Sequence, residues 1–254
     1  MVKFFHSFLL ALGFFSRIPV PSKPDFKPAD MAGISAFFPL VGWIISLGMV
    51  LVYLGLHLLL PPSVSMIGML AAGIWLTGAL HEDGLADTAD GLGGGFEREH
   101  VLTIMHDSRV GSYGVLALTI ILLLKFTALT AMSASVMLWA VVAGHSVSRL
   151  AGVMLMQTLG YVRPQGKGGG MTQPLGKPAL TFAIFTGLLP LLGAFWFIHL
   201  VFLPLILLAV ALVWWWFRAT LKRRLGGYTG DCVGAMQQLT EITFYLGVLA
   251  CLSQ

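Results

Sequence analysis

Charged side chains are scarce in this sequence. Asp, Glu, Lys and Arg make up 10% of its 254 residues, whereas soluble domains carry about 25%. The mean hydropathy of +0.87 and several apolar runs near the roughly 20 residues that cross a bilayer exclude an ordinary soluble domain. The runs are continuous and do not alternate with a period of two, which excludes a transmembrane β-barrel. We therefore expect a single all-α polytopic membrane domain over residues 1–254.

Cysteine is scarce as well, and this limits the chemistry that the chain can perform. Cys232 and Cys251 lack the spacing of a metal site, and we expect both to be reduced. The net charge of +4 does not indicate a nucleic-acid partner. The sequence leaves open whether the chain forms a homo-oligomer.

Long apolar runs account for most of the sequence. We expect about seven transmembrane helices, over residues 31–60, 64–80, 110–132, 136–158, 179–198, 201–217 and 234–253. The apolar run from Phe4 to Phe15 is too short to span a bilayer, and we expect it to form an N-terminal interfacial helix.

The basic residues indicate how these segments are oriented. Thirteen of the 15 Lys and Arg fall in the N-terminal segment or in alternate connections, which share one side of the membrane, and ten of the 11 acids follow the same division. Loops rich in Lys and Arg stay cytoplasmic. We therefore expect the N terminus and every long polar loop to lie inside and the C terminus outside.

The acids are concentrated in HEDGLADTADGLGGG, residues 81–95. Asp83, Asp87 and Asp90 are spaced i, i+4 and i+7, so they share one face of a helix. Like charges on one face repel each other unless a cation lies between them, and carboxylate oxygens suit Mg²⁺. We predict that Glu82 and these three aspartates bind Mg²⁺, as one ion or as two that clamp a phosphoryl group. The alternative is a solvated acidic loop. A calcium-binding loop is less favoured still, because the alternating acids and the closing Glu of an EF-hand are missing.

Two neighbouring stretches are predicted to bind substrate. Gly93 and Gly94 belong to a glycine run whose backbone N–H groups could cradle phosphates, although a flexible hinge gives the same pattern. In HDSRVGSYG, residues 106–114, Asp107 could complete the metal site and Arg109 could hold a phosphate. The alternative is a helix cap beside an ordinary cytoplasmic arginine.

Polar side chains also lie within the apolar segments. His145 and Arg149 are four residues apart on one helix face, and a mid-bilayer arginine costs about 2.5–3.5 kcal/mol. We predict that both act in catalysis, with Arg149 beside the aspartates or a diphosphate, and a snorkelling arginine is the alternative. Because Glu241 is also costly within a span, we expect it to pair with Arg149 or Lys125.

The last two inner loops carry further candidates for substrate binding. RPQGKGGGMTQPLGK, residues 163–177, does not match a Walker A loop. It could form a flexible basic lid in which Lys167 contacts an anionic substrate, and a plain anchor loop fits the pattern about as well. Asp231 begins the last segment, where it could bind a metal or a hydroxyl group or simply cap the helix.

Four blocks of the sequence resemble one enzyme family. LTGALHEDGLADTADGLGGG, MHDSRVGSYGVLAL, FFSRIPVP and GYTGDCVGA lie between Phe14 and Ala235 and resemble the adenosylcobinamide-GDP ribazoletransferases, also called cobalamin synthases. The resemblance implies a Mg²⁺-dependent protein of the bacterial inner membrane. It also implies that α-ribazole, or its 5′-phosphate, is joined to adenosylcobinamide-GDP, giving adenosylcobalamin, or its 5′-phosphate, and GMP.

The implied reaction requires a group that takes the proton of the attacking hydroxyl, and Asp90 is our predicted base. Two other functions share part of the pattern. The CDP-alcohol phosphotransferases also use clustered aspartates, but the Ala-Arg pair that follows their Asp-Gly is missing here. A cation transporter would need acids deep within its spans, where only Glu241 lies.

Overall fold

The computed structural model describes residues 2–21, 31, 33–163 and 173–252. Within these ranges the only β-type pairing is an isolated bridge between Tyr161 and Tyr228. The α-helices are α1 Val2–Phe15, α2 Phe38–His57, α3 Pro62–Thr77, α4 Leu80–Gly94, α5 Arg98–Ile104, α6 Ser112–Thr130, α7 Ala134–Thr158, α8 Lys177–Leu188, α9 Ala194–Phe197, α10 Leu203–Leu225 and α11 Gly230–Leu252. Short 3-10 helices cover Ile34–Phe37, Leu189–Gly193 and Leu200–Phe202.

The all-α polytopic architecture is confirmed, but fewer helices qualify as spans than the seven expected. Five stretches in the described part of the chain are long and apolar enough to cross a membrane, or six if α3 and α4 form one broken span. The five stretches are Ile34–His57, Ser112–Thr130, Ala134–Thr158, Lys177–Phe197 and Leu203–Leu225. The seventh expected segment does form a helix, α11, but the polar side chains Gln237, Gln238 and Glu241 lower its hydropathy.

Two helices form the centre of the bundle. Helix α7 is 89% buried along its apolar stretch, whereas α10 is only 17% buried and exposes Leu208, Leu212 and Trp215. Helix α11 packs against α4, α6, α7 and α10. It therefore contacts both of the other helices that carry candidate site residues, α4 and α7. Because α10 is mostly exposed, its apolar side chains suit contact with lipid.

A sharp bend sets the direction of the acidic helix. Helices α3 and α4 meet at 85°, because Gly78 (φ 66°) and Ala79 (φ 59°) both adopt the left-handed conformation. This conformation costs roughly 1–2 kcal/mol for a residue with a Cβ such as Ala79. Instead of continuing along α3, the acids of α4 are turned toward the beginning of α11, against which α4 packs.

Contacts between the long connections bring them to one end of the bundle. The Arg98 Nε atom donates a hydrogen bond to the Leu225 carbonyl (2.8 Å), which joins α5 to the end of α10. An Arg163 terminal nitrogen donates to the Met105 carbonyl (3.1 Å), which joins the segment after α7 to the segment after α5. The long polar connections that share one side in the sequence-based topology therefore meet in three dimensions.

Candidate active site

The acidic helix touches the beginning of α11 through a glycine. A Cβ atom added at Gly84 would lie 2.7 Å from the Asp231 carbonyl oxygen and 3.0 Å from its Cα. Only a residue without a side chain permits this approach, because the opposing atoms belong to the backbone. The glycine beside Asp83 therefore admits a second helix and brings a further acid, Asp231, next to the acidic face of α4.

Three carboxylates and one guanidinium form a cluster at this contact. Asp83 is exposed and Asp87 is half-buried, one turn further along α4. The charges that act on Asp87 include those of Asp83, Asp231 and Arg163. Two of the acids predicted to bind Mg²⁺, Asp83 and Asp87, thus lie together with Asp231, which was predicted to contact substrate.

Arg163 is the member of this cluster that the sequence did not reveal as a site residue. One of its terminal nitrogens lies 2.9 Å from Asp231 Oδ2, and the Thr229 hydroxyl donates to the same oxygen at 3.2 Å. In the sequence Arg163 begins a glycine-rich basic segment, so its charge carried no information about its partner. The structure places the Arg163 guanidinium beside the acids, where its positive charge partly balances theirs.

The third aspartate of the predicted face holds the beginning of α6. Asp90 is buried, and its two carboxylate oxygens accept hydrogen bonds from the backbone N–H groups of Gly111 (2.7 Å) and Gly114 (2.9 Å). Charge-assisted bonds of this kind are among the stronger ones in proteins. Asp90 therefore fixes α6 against α4, and its roles as metal ligand and base stay predictions.

Glu82 points away from the aspartates and into the bundle. Its Oε1 atom accepts a hydrogen bond from the Gln238 side-chain amide of α11 at 2.9 Å. Consecutive helix positions are about 100° apart, which separates Glu82 from Asp83 although they are neighbours in the sequence. The predicted set of four metal ligands is thus distributed over three environments.

The predicted substrate contacts Asp107 and Arg109 bind each other. The Arg109 side chain donates to both Asp107 oxygens, at 2.6 Å for the shortest bond, and its backbone N–H donates as well. These hydrogen bonds hold the pKa of Asp107 at about 2, so the carboxylate is ionised at neutral pH. The guanidinium remains exposed and retains free donors for an anion.

The predicted glycine cradle serves helix packing in this structure. A Cβ at Gly93 would lie 2.6 Å from the Tyr113 ring, and one at Gly94 would lie 3.4 Å from the Ile104 side chain. Gly93 therefore lets the end of α4 approach α6, whereas a Cβ at Gly94 would make only an ordinary contact with α5, and neither prediction of a phosphate contact is tested by this packing. Lys167, the predicted contact in the basic lid, lies outside the described residues.

A buried polar network runs through the centre of the bundle. Lys125 Nζ lies 2.6 Å from Glu241 Oε1, which confirms one of the two pairings expected for Glu241. An Arg149 terminal nitrogen bonds His145 Nδ1 at 2.9 Å, and its guanidinium stacks over the Phe38 ring at 5.6 Å. Arg149 was expected beside the aspartates or a diphosphate. Because α7 packs against α2 and α11, Arg149 contacts His145 and Phe38 and not the aspartates, while its contact with a diphosphate and the catalytic roles of Arg149 and His145 stay predictions.

Mg²⁺ would find a partial set of ligands in the acidic cluster. No three His, Cys, Asp or Glu side chains come close enough to hold a metal by themselves anywhere in the described ranges. Mg²⁺ usually binds through one or two carboxylates, several waters and the phosphates of a substrate, and seldom in a cage made by the protein alone. The carboxylates of Asp83 and Asp87, one turn apart on α4 and close enough to Asp231 to feel its charge, would be the side chains to hold a Mg²⁺ ion that arrives with a phosphorylated substrate.

Comparison with known proteins identifies the family of the chain. The family described as cobalamin-5-phosphate synthase matches residues 7–249 of the sequence. The chain belongs to this family. The match includes all of α4 to α10 and most of α11, and therefore all the residues of the acidic cluster. No solved structure matches the chain.

Curated relatives match the chain over almost its full length. A protein of Ralstonia nicotianae is 41% identical over 248 residues, covering 96% of this chain and 95% of the relative. A protein of Shewanella amazonensis is 42% identical over 253 residues, covering 97% and 96%. A third, from Vibrio vulnificus, is 38% identical over 246 residues, covering 96% and 95%. Each of the three is named adenosylcobinamide-GDP ribazoletransferase.

Proposed function

We propose that the chain is an adenosylcobinamide-GDP ribazoletransferase that works with Mg²⁺ at the cytoplasmic face of the inner membrane. It joins α-ribazole, or α-ribazole 5′-phosphate, to adenosylcobinamide-GDP and releases GMP. Membership of the family and identities near 40% over almost the whole chain support the reaction. A hydroxyl of the ribazole attacks the phosphorus atom that is bonded to the cobinamide, the bond from that phosphorus to the bridging oxygen breaks, and GMP leaves with this oxygen. The hydroxyl proton passes to a base, the role predicted for Asp90.

The observation that carries the metal part of the proposal is the pairing of Asp83 and Asp87 at the Gly84 contact. Both acids occupy one helix face, within the electrostatic range of Asp231. In phosphoryl transfer, positioning and neutralisation of charge supply most of the catalysis. A bound Mg²⁺ would neutralise the diphosphate charge, and Asp83 and Asp87 are the side chains that would hold it.

Neighbouring side chains have separate tasks in this proposal. Arg163 holds Asp231 against the acidic helix and keeps the segment that follows α7 at the site. The exposed guanidinium of Arg109 offers its remaining N–H groups to the anionic substrate. Asp90 holds the beginning of α6, so its carboxylate positions the segment that carries Arg109.

The location of the site relative to the membrane follows from the basic residues. The end of the bundle that carries the acidic cluster also holds Arg98, Arg163 and Arg224, and segments rich in such residues remain cytoplasmic. We propose that the N terminus and the cluster face the cytoplasm and that the C terminus lies outside. Reporter fusions at the C terminus should therefore show an external location, and a cytoplasmic signal would contradict this orientation.

The metal assignment can be tested with single substitutions. We expect Asp83→Asn and Asp87→Asn each to lower GMP release at least 100-fold at a fixed Mg²⁺ concentration, because each removes a charged oxygen ligand. Both variants should also need more Mg²⁺ for half-maximal rate. The assay uses purified full-length protein in detergent, adenosylcobinamide-GDP and α-ribazole, with GMP measured over a Mg²⁺ series.

The matched control for these variants is Glu97→Gln. Glu97 is an exposed acid just beyond α4, and its substitution removes the same charge from the same end of the bundle. It should leave both the rate and the Mg²⁺ requirement unchanged. Wild-type rates and Mg²⁺ dependence in both Asp variants would refute the metal site, while the wild-type enzyme would still report whether ribazole transfer occurs.

A further inference from the structure

A cavity lies deeper in the bundle than the acidic cluster. It is enclosed by residues of α2, α3, α4, α6, α7 and α11, and it reaches Glu241, ten residues beyond Asp231. At a rise of about 1.5 Å per residue, this is about 15 Å further along α11. The end of the cavity that faces the acidic cluster is lined by His81 and Glu82, which directly precede Asp83 in α4. The cavity therefore begins where the acidic cluster ends.

Several buried polar atoms around this cavity lack a hydrogen-bond partner. Among the described residues that line it they are His81 Nε2, Glu82 Oε2, Arg149 Nε, Gln237 Oε1 and Gln238 Oε1. The side chains of both glutamines and of Arg149 are at least 98% buried. A buried polar group without a partner costs about 1–3 kcal/mol, and few occur in native proteins. Five such atoms around one cavity indicate a site that is completed by hydroxyl-type groups, supplied by ordered water or by a ligand that displaces it.

The charges of the wall indicate that the ligand is neutral. Lys125 and Arg149 provide two positive charges, and Glu82 and Glu241 provide two negative ones. Because these formal charges cancel, a phosphate or a metal cation would bring a charge that the buried site does not balance, and burying such a charge is costly. The occupant must therefore satisfy polar atoms without adding charge.

The kinds of unpartnered atom indicate that the ligand carries hydroxyl groups. The amide nitrogens of Gln237 and Gln238 donate to Glu241 and Glu82, so the free atoms of both amides are carbonyl oxygens. Together with Glu82 Oε2 they make three unpartnered hydrogen-bond acceptors in the cavity. The unpartnered Arg149 Nε, in contrast, can only donate a hydrogen bond. Hydroxyl groups donate and accept, and can serve both. The cavity has room for one or two groups of the size of a water molecule, which is enough for one or two hydroxyls.

We propose that this cavity binds the ribose hydroxyls of the ribazole substrate, a neutral nucleoside group. The inference rests on the proposed function, which supplies a substrate with a neutral, hydroxyl-bearing ribose and a second substrate with an anionic diphosphate; any 5′-phosphate on the ribazole would stay outside the cavity. Separate sites then take the two substrates, since the exposed carboxylates of Asp83 and Asp87 suit a metal with the diphosphate. Glu82 lines the end of the cavity closest to Asp83, although the two side chains leave α4 about 100° apart, so hydroxyls held by Glu82 occupy the end of the cavity that borders the acidic cluster.

The experiment measures both Michaelis constants in Gln238→Leu. This substitution keeps the side chain's approximate size and removes the amide that holds Glu82 and presents a free carbonyl. We expect the KM for α-ribazole to rise at least tenfold and the KM for adenosylcobinamide-GDP to stay within twofold of wild type. Thr186→Val is the control, since it removes a buried hydroxyl of α8 outside the cavity and should change neither KM.

A substrate analogue separates ligand binding from a purely structural effect. An α-ribazole that lacks its 2′-hydroxyl should react with a raised KM in wild type, and should lose little further in Gln238→Leu. If this variant does not fold, Gln237→Leu takes its place. Equal shifts in both KM values, or an unchanged KM for α-ribazole, would overturn the inference while leaving ribazole transfer intact. Absence of GMP release from the wild-type enzyme would instead contradict the proposed function.

Discussion

Replacing Gly84 by alanine tests whether the contact between α4 and α11 assembles the acidic cluster. The added Cβ would lie 2.7 Å from the Asp231 carbonyl oxygen, and the opposing atoms are backbone atoms of a buried helix. Neither partner can turn aside, as a flexible side chain could. The two helices must therefore separate by about 0.5–1 Å, since the 2.7 Å approach must lengthen to the 3.4 Å or more of an ordinary contact.

The expected change in the free energy of unfolding of Gly84→Ala follows from two opposing effects. Overpacking costs about 1–3 kcal/mol, whereas exchanging glycine for alanine within a helix gains roughly 1 kcal/mol. We therefore expect a small change in stability, between no change and a loss of about 2 kcal/mol. Activity should suffer more, because a displacement of about 1 Å at a catalytic site can cost 100-fold. GMP release should fall about 10- to 100-fold, with a higher Mg²⁺ requirement.

The chain offers a matched control for this substitution. Gly55, near the end of α2, has no atom within 4 Å of an added Cβ, so Gly55→Ala places the same methyl group in open space. GMP release over a Mg²⁺ series and thermal unfolding in detergent should be measured for both variants. If Gly84→Ala matched Gly55→Ala in rate, Mg²⁺ requirement and unfolding temperature, the reasoning from the helix contact would be refuted.

Two further predictions concern buried carboxylates. Asp90→Asn weakens an acceptor of two backbone N–H groups, so the free energy of unfolding should fall by about 1–3 kcal/mol, and an unchanged unfolding temperature would contradict the role of Asp90 in holding α6. Lys125→Met leaves Glu241 buried beside the hydrophobic replacement and should cost about 3–5 kcal/mol. The double variant Lys125→Met with Glu241→Gln should recover much of this loss in the same thermal assay, and additive losses would argue against the pairing.

Much of the architecture could be predicted because the bilayer imposes simple demands. Continuous apolar stretches mark helices, since only hydrogen-bonded backbone is tolerated in lipid. Every apolar segment drawn from the sequence overlaps an α-helix of the structure. The number of spans was harder to predict, because α3 is short and ends in the bend at Gly78, and α11 combines an apolar sequence with polar side chains that face other helices.

The candidate site was only partly predictable, because spacing along a helix defines a face but not what covers it. Asp83, Asp87 and Asp90 do share α4, yet the last of them contacts α6 while the first two meet α11. Arg163 reaches Asp231 across 68 positions of the chain, and no local pattern reports such a contact. Gln237 and Gln238 could have been noticed, since polar residues within an apolar span are costly unless they have a function.

By itself the sequence determined that this protein is helical and embedded in a membrane, that its acids collect at one end, and that its motifs belong to one enzyme family. Those properties depend on composition and on periodicity along one helix, which local sequence controls. Only the tertiary structure decided which carboxylates remain together. The bend at Gly78 and Ala79 turns the acidic helix, and the missing side chain of Gly84 lets α11 approach it. These contacts leave Asp83 and Asp87 beside Asp231, direct Asp90 to α6 and turn Glu82 toward the buried cavity, because packing between distant segments decides what each face of a helix meets.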